Sequence, residues 1–182
     1  EDLLAYKAAR DSSDDLDRQE YARYGSPTVR AVEMKIAALE DSEDALLFSS
    51  GMNTITTTLL TFLSSGDHLV MICPAYRRTR EFTSYLERWG IQTSFVTSNC
   101  FDELSEALKP NTKVIFAETP SNPTLRVLDL PELTRLAGKA GSLTIVDSTF
   151  ATPFNLQPLK HGVDLTIHSA TKYLGGHNDL LA

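Results

Sequence analysis

The chain has 182 residues, 42% of them hydrophobic and 23% charged, a balance that suits one globular domain with a sizeable core and excludes wholesale disorder. A net charge of -7, with lysines and arginines scattered among the acids, leaves no basic stripe for nucleic acid and points to small-molecule chemistry. No apolar run approaches the roughly 20 residues of a membrane span, and Cys73 and Cys100 lack the CxxC spacing of a thiolate zinc site or a disulfide scaffold.

The N-terminus has neither a basic start nor a hydrophobic signal core, so a reducing, cytoplasmic compartment is expected. Residues 1–20 are polar and acidic, with Asp11, Asp14, Asp15 and Asp17 around two serines, and read as an arm with little apolar surface to bury. Residues 21–28 form a Gly-Ser-Pro turn into a helix. Ser26 is its cap, Pro27 its first residue, and Val29, Val32, Ile36 and Leu39 recur on one face as core. The run 45–48 reads as a short buried strand leading into Ser49-Ser50-Gly51-Met52. Beyond it Met52, Ile55, Leu59 and Phe62 stand at helical spacing, so Ser-Ser-Gly lies where a strand hands over to a helix N-terminus. Free amides and the helix dipole make such an end an anion site, although an ordinary cap has the same residues.

A strand is expected at 68–72, closed by Cys73-Pro74-Ala75-Tyr76, and a helix at 77–89 with Phe82, Tyr85, Leu86 and Trp89 on its apolar face. Tyr76 can stack on a flat ring, exchange a proton, or simply cap the core. Arg77, Arg78 and Arg80 are either a solvated helix face or, at a strand mouth, an attractor for an anionic substrate. Then come a strand at 92–96, a helix at 101–108 and a buried strand at 114–118. In the following loop Pro120 and Pro123 stiffen the backbone around Asn122, as an amide aimed at a ligand ring requires; by itself the segment is a turn. A helix at 130–140, a strand at 143–147, a loop at 153–158 and a strand at 163–167 complete the series. Such alternation predicts an α/β domain with a mainly parallel sheet and helices on both faces, its polar candidates at strand ends.

Two of those ends carry chemistry. The run 143–147 delivers Asp147 at the C-terminal end of a buried strand, where ligands sit in open α/β sheets. A carboxylate there can hold a proton on a pyridine nitrogen, the partner that pyridoxal phosphate needs to act as an electron sink. The last strand leads into Ser169, Thr171 and Lys172 just before the pair Gly175-Gly176. A lysine on a constrained turn can be desolvated into a nucleophile toward an aldehyde, and the neighbouring hydroxyls can donate to a phosphate. Taken alone, Lys172 reads as a solvated surface lysine.

The stretches YARYGSPT, SSGM, AYRRTR, ETPSNPT, VDSTFATP and HSATKYLGGHND stand in the order and close to the spacing of one family. Through them the chain resembles the Cys/Met-metabolism group of fold-type I pyridoxal-phosphate enzymes, which holds cystathionine γ-synthase, cystathionine β- and γ-lyases, methionine γ-lyase and the O-acylhomoserine sulfhydrylases. The resemblance implies that residues 21–182 are the large pyridoxal-phosphate-binding domain of a fold-type I transferase, with the C-terminal domain missing. The lack of an initiator methionine and the stop at Ala182 fit a fragment, from which a transit peptide can also have been removed.

It further implies that Lys172 holds the cofactor, pyridoxal 5'-phosphate, and moves protons on the substrate. Asp147 pairs with the ring nitrogen, Tyr76 stacks on the ring and Asn122 contacts the ring hydroxyl. Gly51 and Met52 supply amides to the phosphate, joined by the hydroxyls of Ser169 and Thr171. Tyr21 and Arg23 are expected to reach the phosphate of a neighbouring subunit, so a dimer is the smallest complete unit, commonly assembled into a tetramer.

Within the group, the Tyr76-Arg77-Arg78-Thr79-Arg80 run resembles plant-type cystathionine γ-synthases, for which a plastid stroma replaces the cytoplasm. The branch implies γ-replacement between a homoserine ester and cysteine, with Arg78 binding the phosphate of O-phosphohomoserine and Arg77 assisting. A lyase of the same family is the near alternative. Ser26 stands where the family has Asn, and the absent C-terminal domain is where the family keeps its arginine for the substrate carboxylate.

Other classes fit less well. Asp147-Ser148-Thr149 lacks the second aspartate of a phosphatase Asp-x-Asp, and neither a P-loop nor a Gly-x-Ser-x-Gly elbow is present. His68, His161, His168 and His177 show no metal-ligand spacing and read as surface residues or as neighbours of the site. A non-catalytic, truncated subunit serving only in assembly is the remaining alternative.

Overall fold

Strands rich in Val, Ile and Leu with no polar alternation need cover on both faces, and the chain provides it. The computed structural model describes residues 25–182 together with Ala8 and Arg23, so the expected arm at 1–20 and Tyr21 lie outside the described residues. Two compact units make up the chain, residues 1–47 and 48–182. The second holds the sheet: β1 (His68–Cys73), β2 (Gln92–Thr97), β3 (Thr112–Glu118), β4 (Leu143–Asp147) and β5 (Leu165–Ile167). All neighbours run parallel in the order β2-β1-β3-β4-β5.

Parallel pairing obliges each connection to cross over a face, and the crossovers divide the core in two. On one face α2 (Gly51–Phe62), α3 (Arg77–Tyr85) and the turn that follows it bury Ile55, Leu59 and Leu86 against Leu69, Met71, Phe116 and Ile145. On the other, α4 (Phe101–Ala107) and α5 (Leu130–Ala140) bury Leu104, Leu130, Leu133 and Ala137 against Val70, Ile115 and Val146. β1 lies between β2 and β3, and the chain leaves β1 and β3 toward opposite faces. A crevice therefore opens at the C-terminal edge between those two strands, the place where sheets of this order take ligands. Register sets what stands there: Glu118 is level with Asp147, and Asp147 with Ile167.

Several expectations are corrected. Residues 45–48 form no strand. The Leu47 N–H, with no sheet partner, donates instead to the Glu33 carboxylate at 2.8 Å. That bond, and the Arg30–Asp44 pair at 2.6 Å, decide which stripe of α1 (Pro27–Glu40) is covered. Glu33, Ala37 and Glu40 are buried, while Val29, Val32 and Leu39, expected as core, are exposed. Ser26 does occupy the cap position, its carbonyl accepting from Arg30 N–H at 2.9 Å, but its hydroxyl makes no cap bond.

The helix expected over 77–89 ends at Tyr85 and tightens into a 3-10 turn, Leu86–Trp89. Three residues per turn shift the side-chain positions, so Leu86 is fully buried while Tyr85 and Trp89 are exposed. His68 is no surface residue. It is wholly buried at the start of β1, its ring nitrogens bridging Thr112 Oγ1 at 2.8 Å and Ser94 Oγ at 2.9 Å across three strands. The loop expected at 153–158 contains a short helix, α6 (Thr152–Asn155), and leads into a 3-10 turn at Pro158–His161. Among the described residues no helix is long and apolar enough to cross a membrane.

Candidate active site

The N-terminus of α2 meets the loop after β5. Ser50 caps the helix by accepting Asn53 N–H at 3.1 Å, which leaves the amides of Gly51 and Met52 in the first turn, facing out of the helix end. Gly51 is needed for a packing reason: a Cβ there would stand 2.7 Å from the Cβ of Ser169 and 3.2 Å from its Cα. The first turn of α2 and the Ser169 side chain are thereby packed closely together. In the loop, the Thr171 N–H at 3.1 Å, the Thr171 hydroxyl at 2.9 Å and the Ser169 hydroxyl at 3.4 Å all donate to the oxygen of Ala182. Three donors converging on one oxygen atom are what a phosphate oxygen requires. Met52 is held from the other side, its sulfur accepting from the Thr79 hydroxyl at 3.7 Å.

Asp147, 7% exposed, stands at the end of β4. Its Oδ1 accepts from the Thr149 hydroxyl at 2.6 Å and from the Thr149 N–H at 3.0 Å. The same hydroxyl accepts Ser169 N–H at 2.8 Å, so one side chain ties the Asp147 carboxylate to the loop after β5. Burial raises the Asp147 pKa above its ordinary value, against the opposing pull of the Thr149 bonds and of His168.

Beside it Glu118 ends β3 and is 9% exposed. Burial first, and the charge of Asp147 second, push its pKa up to about 7. Its carboxylate accepts the backbone N–H of Tyr76 at 2.7 Å, and that bond, with the nearby backbone N–H of Asn122, favours its charged form and opposes the rise. Tyr76 is 43% exposed at the cap of α3. Asn122 is half-buried in a loop that ties itself down, with Ser121 Oγ accepting Arg126 N–H at 3.1 Å and Thr119 Oγ1 accepting Leu128 N–H at 2.9 Å.

Other expected residues lie toward solvent. Lys172 is exposed, so the anticipated desolvation of its amine is corrected: the loop turns its side chain into an open cavity of about 500 Å³. Phe150, Thr171, Tyr173, Gly176, His177 and Asn178 line the cavity with it. Arg77 and Arg78 occupy the first turn of α3, mostly exposed, paired with Glu81 at 3.6 and 2.7 Å. Arg23 lies on an exposed turn. Reading by motif passed over Glu118 and Thr149. The signal for Glu118 was present, since the rule that singles out Asp147, a carboxylate ending an apolar strand, applies to it equally.

Five parallel strands in the order β2-β1-β3-β4-β5, covered by helices on both faces, have the fold of the fold-type I pyridoxal-phosphate enzymes. The chain belongs to the Cys/Met metabolism PLP-dependent enzyme family, whose model matches residues 4–182, and its cofactor is pyridoxal phosphate. It is 46% identical over 164 residues to L-methionine gamma-lyase of Fusobacterium nucleatum, covering 89% of this chain and 42% of that protein. To cystathionine gamma-synthase 1, chloroplastic, of Nicotiana tabacum it is 41% identical over 183 residues, covering 100% of this chain and 33% of that one.

Among solved structures, a putative O-acetylhomoserine (thiol)-lyase of Campylobacter jejuni superposes with a TM-score of 0.83 at 34% identity, over 86% of this chain and 37% of that one. That structure carries N'-pyridoxyl-lysine-5'-monophosphate. The chain thus spans between a third and about two fifths of these relatives' lengths.

Proposed function

We propose that the complete enzyme acts on small amino-acid substrates and joins a homoserine ester, in the first instance O-phosphohomoserine, to cysteine, giving cystathionine. Bound pyridoxal phosphate supplies an electron sink for charge developing on the substrate carbons. Lys172 holds the cofactor by its amine and moves protons at the substrate's Cα and Cβ. Asp147 keeps a proton on the ring nitrogen, with Thr149 fixing its orientation. Tyr76 covers a ring face and Asn122 the ring hydroxyl, while Gly51, Met52, Ser169 and Thr171 hold the phosphate. In the replacement the Cγ–O bond of the ester breaks and a Cγ–S bond to cysteine forms, phosphate departing with the proton that the thiol gives up.

The reading is carried by Arg77 and Arg78, two guanidinium groups in the turn directly after Tyr76. Their present partner, Glu81, is an exposed surface acid that a doubly charged phosphate can replace at little cost. Self-association into dimers, with Tyr21 and Arg23 reaching a neighbour's phosphate, completes the proposal.

The likeness to a methionine γ-lyase favours a second reading, in which the same residues eliminate the γ-substituent and release ammonia and a 2-oxoacid. Assay of the complete enzyme with O-phosphohomoserine and cysteine decides between them: cystathionine without ammonia supports the synthase, and ammonia with a 2-oxoacid overturns it. Borohydride reduction of the cofactor-loaded protein should leave a pyridoxyl group on Lys172; a label elsewhere refutes the lysine's role.

A further inference from the structure

We propose that Glu118 is a positioning residue that clamps Tyr76 to Asn122 across the crevice between β1 and β3 and gives up its proton when a cationic ring nitrogen settles at Asp147. The proposal rests on the pyridoxal-phosphate reading of the site. The crevice lies where the strand order reverses, and its two lips, the turn after β1 and the loop after β3, belong to different crossovers on opposite faces. Nothing in the local sequence holds them together. Glu118 does: itself the last residue of β3, at the root of the loop that carries Asn122, it accepts the Tyr76 backbone N–H from the other lip at 2.7 Å, with the Asn122 N–H near enough to favour its charge. Since Tyr76 and Asn122 are the residues assigned to the face and hydroxyl of the ring, the carboxylate sets the spacing of both without touching the ring through either.

The clamp is strongest when charged, because a carboxylate accepts two amides better than a neutral acid does. Around it the titratable groups are few. From β4 comes Asp147, level in register and the charged group that acts on it. From β1 comes Cys73, two residues past the Met71–Phe116 pair, its thiol kept neutral by burial. From the start of α3 comes Tyr76 itself, and His168 after β5 acts through Asp147. In the free protein burial first, and the charge of Asp147 second, keep the proton on Glu118 up to about pH 7. A protonated ring nitrogen at Asp147 cancels the repulsion. Relieved of that second cause, with burial still acting, Glu118 ionises more fully and tightens the lips as the ring settles.

The test is a titration of the complete apoprotein with pyridoxal phosphate in weakly buffered solution at pH 7, reading proton release and the absorbance of the bound cofactor together. With about half the Glu118 side chains protonated at that pH, wild type should release more protons per site than Glu118→Gln, by up to about half a proton. Glu118→Asp should restore part of that release, while Glu118→Gln should bind the cofactor several-fold more weakly. Amide exchange at Tyr76 should slow on binding in wild type and change less in Glu118→Gln, which a merely structural glutamate would not produce. Binding with equal proton release in wild type and Glu118→Gln overturns the proposal alone. Absence of the cofactor's absorbance in wild type removes the cofactor reading, and the proposal with it.

Discussion

Replacing Glu118 by glutamine tests the energetics of the free site directly. In the folded apoprotein this carboxyl holds its proton up to about pH 7, against 4.5 for an ordinary glutamic acid, because it is buried beside Asp147. Between those two values the folded state binds more protons than the unfolded chain, so this group makes stability fall as pH rises. Its contribution is fully present below pH 4.5 and gone above about 7. The rise from 4.5 to about 7 corresponds to roughly 3 kcal/mol.

Glutamine keeps the shape and stays neutral, so its variant lacks that loss. Urea unfolding of both apoproteins at pH 5 and pH 8 should show similar stability at pH 5. At pH 8 the variant should be more stable by about 2–3 kcal/mol. A gap that is the same at both pH values, or wild type gaining on the variant at pH 8, refutes the assignment of a raised pKa to Glu118.

Thr149→Val removes the hydroxyl that serves both Asp147 and Ser169 N–H, and should cost about 1–3 kcal/mol in urea unfolding and weaken pyridoxal phosphate binding, with Thr149→Ser near wild type. Gly51→Ala forces a methyl against the Ser169 backbone and should lower cofactor affinity by about tenfold or more by absorbance titration, at a stability cost of roughly 1–3 kcal/mol. His68 has its pKa lowered by burial and, secondarily, by Lys109, so the unfolded chain takes up the proton first. Its share of stability is therefore present above about pH 6.5 and lost as pH falls below it, and His68→Gln should flatten that acid limb of the thermal-unfolding profile. In the complete enzyme, Arg78→Ala should raise KM for O-phosphohomoserine by about tenfold or more with little change in kcat; an unchanged KM refutes its role.

Much of this was legible in the residue order. Uninterrupted apolar runs mark strands covered on both faces, and 143–147 matches the observed β4 to the residue. The same pattern places Asp147 and Lys172 after neighbouring strands and Gly51 at a helix start. These features are local: hydrophobic period, turn chemistry and caps act within a few residues of one another. The tertiary structure alone decided the rest, because pairing order is set by contacts distant in the chain.

Residues 45–48 have a strand's composition but no partner, so Glu33 takes the Leu47 amide and the helix buries its acids rather than its valines. Trp89 leaves the core when the helix tightens after Tyr85. The bond from Tyr76 to Glu118 spans 42 positions and exists only because β1 and β3 are neighbours in the sheet. Periodicity can say that a carboxylate ends a strand; only the register of the sheet puts two of them side by side in the core, where burial and the charge of one hold the proton on the other.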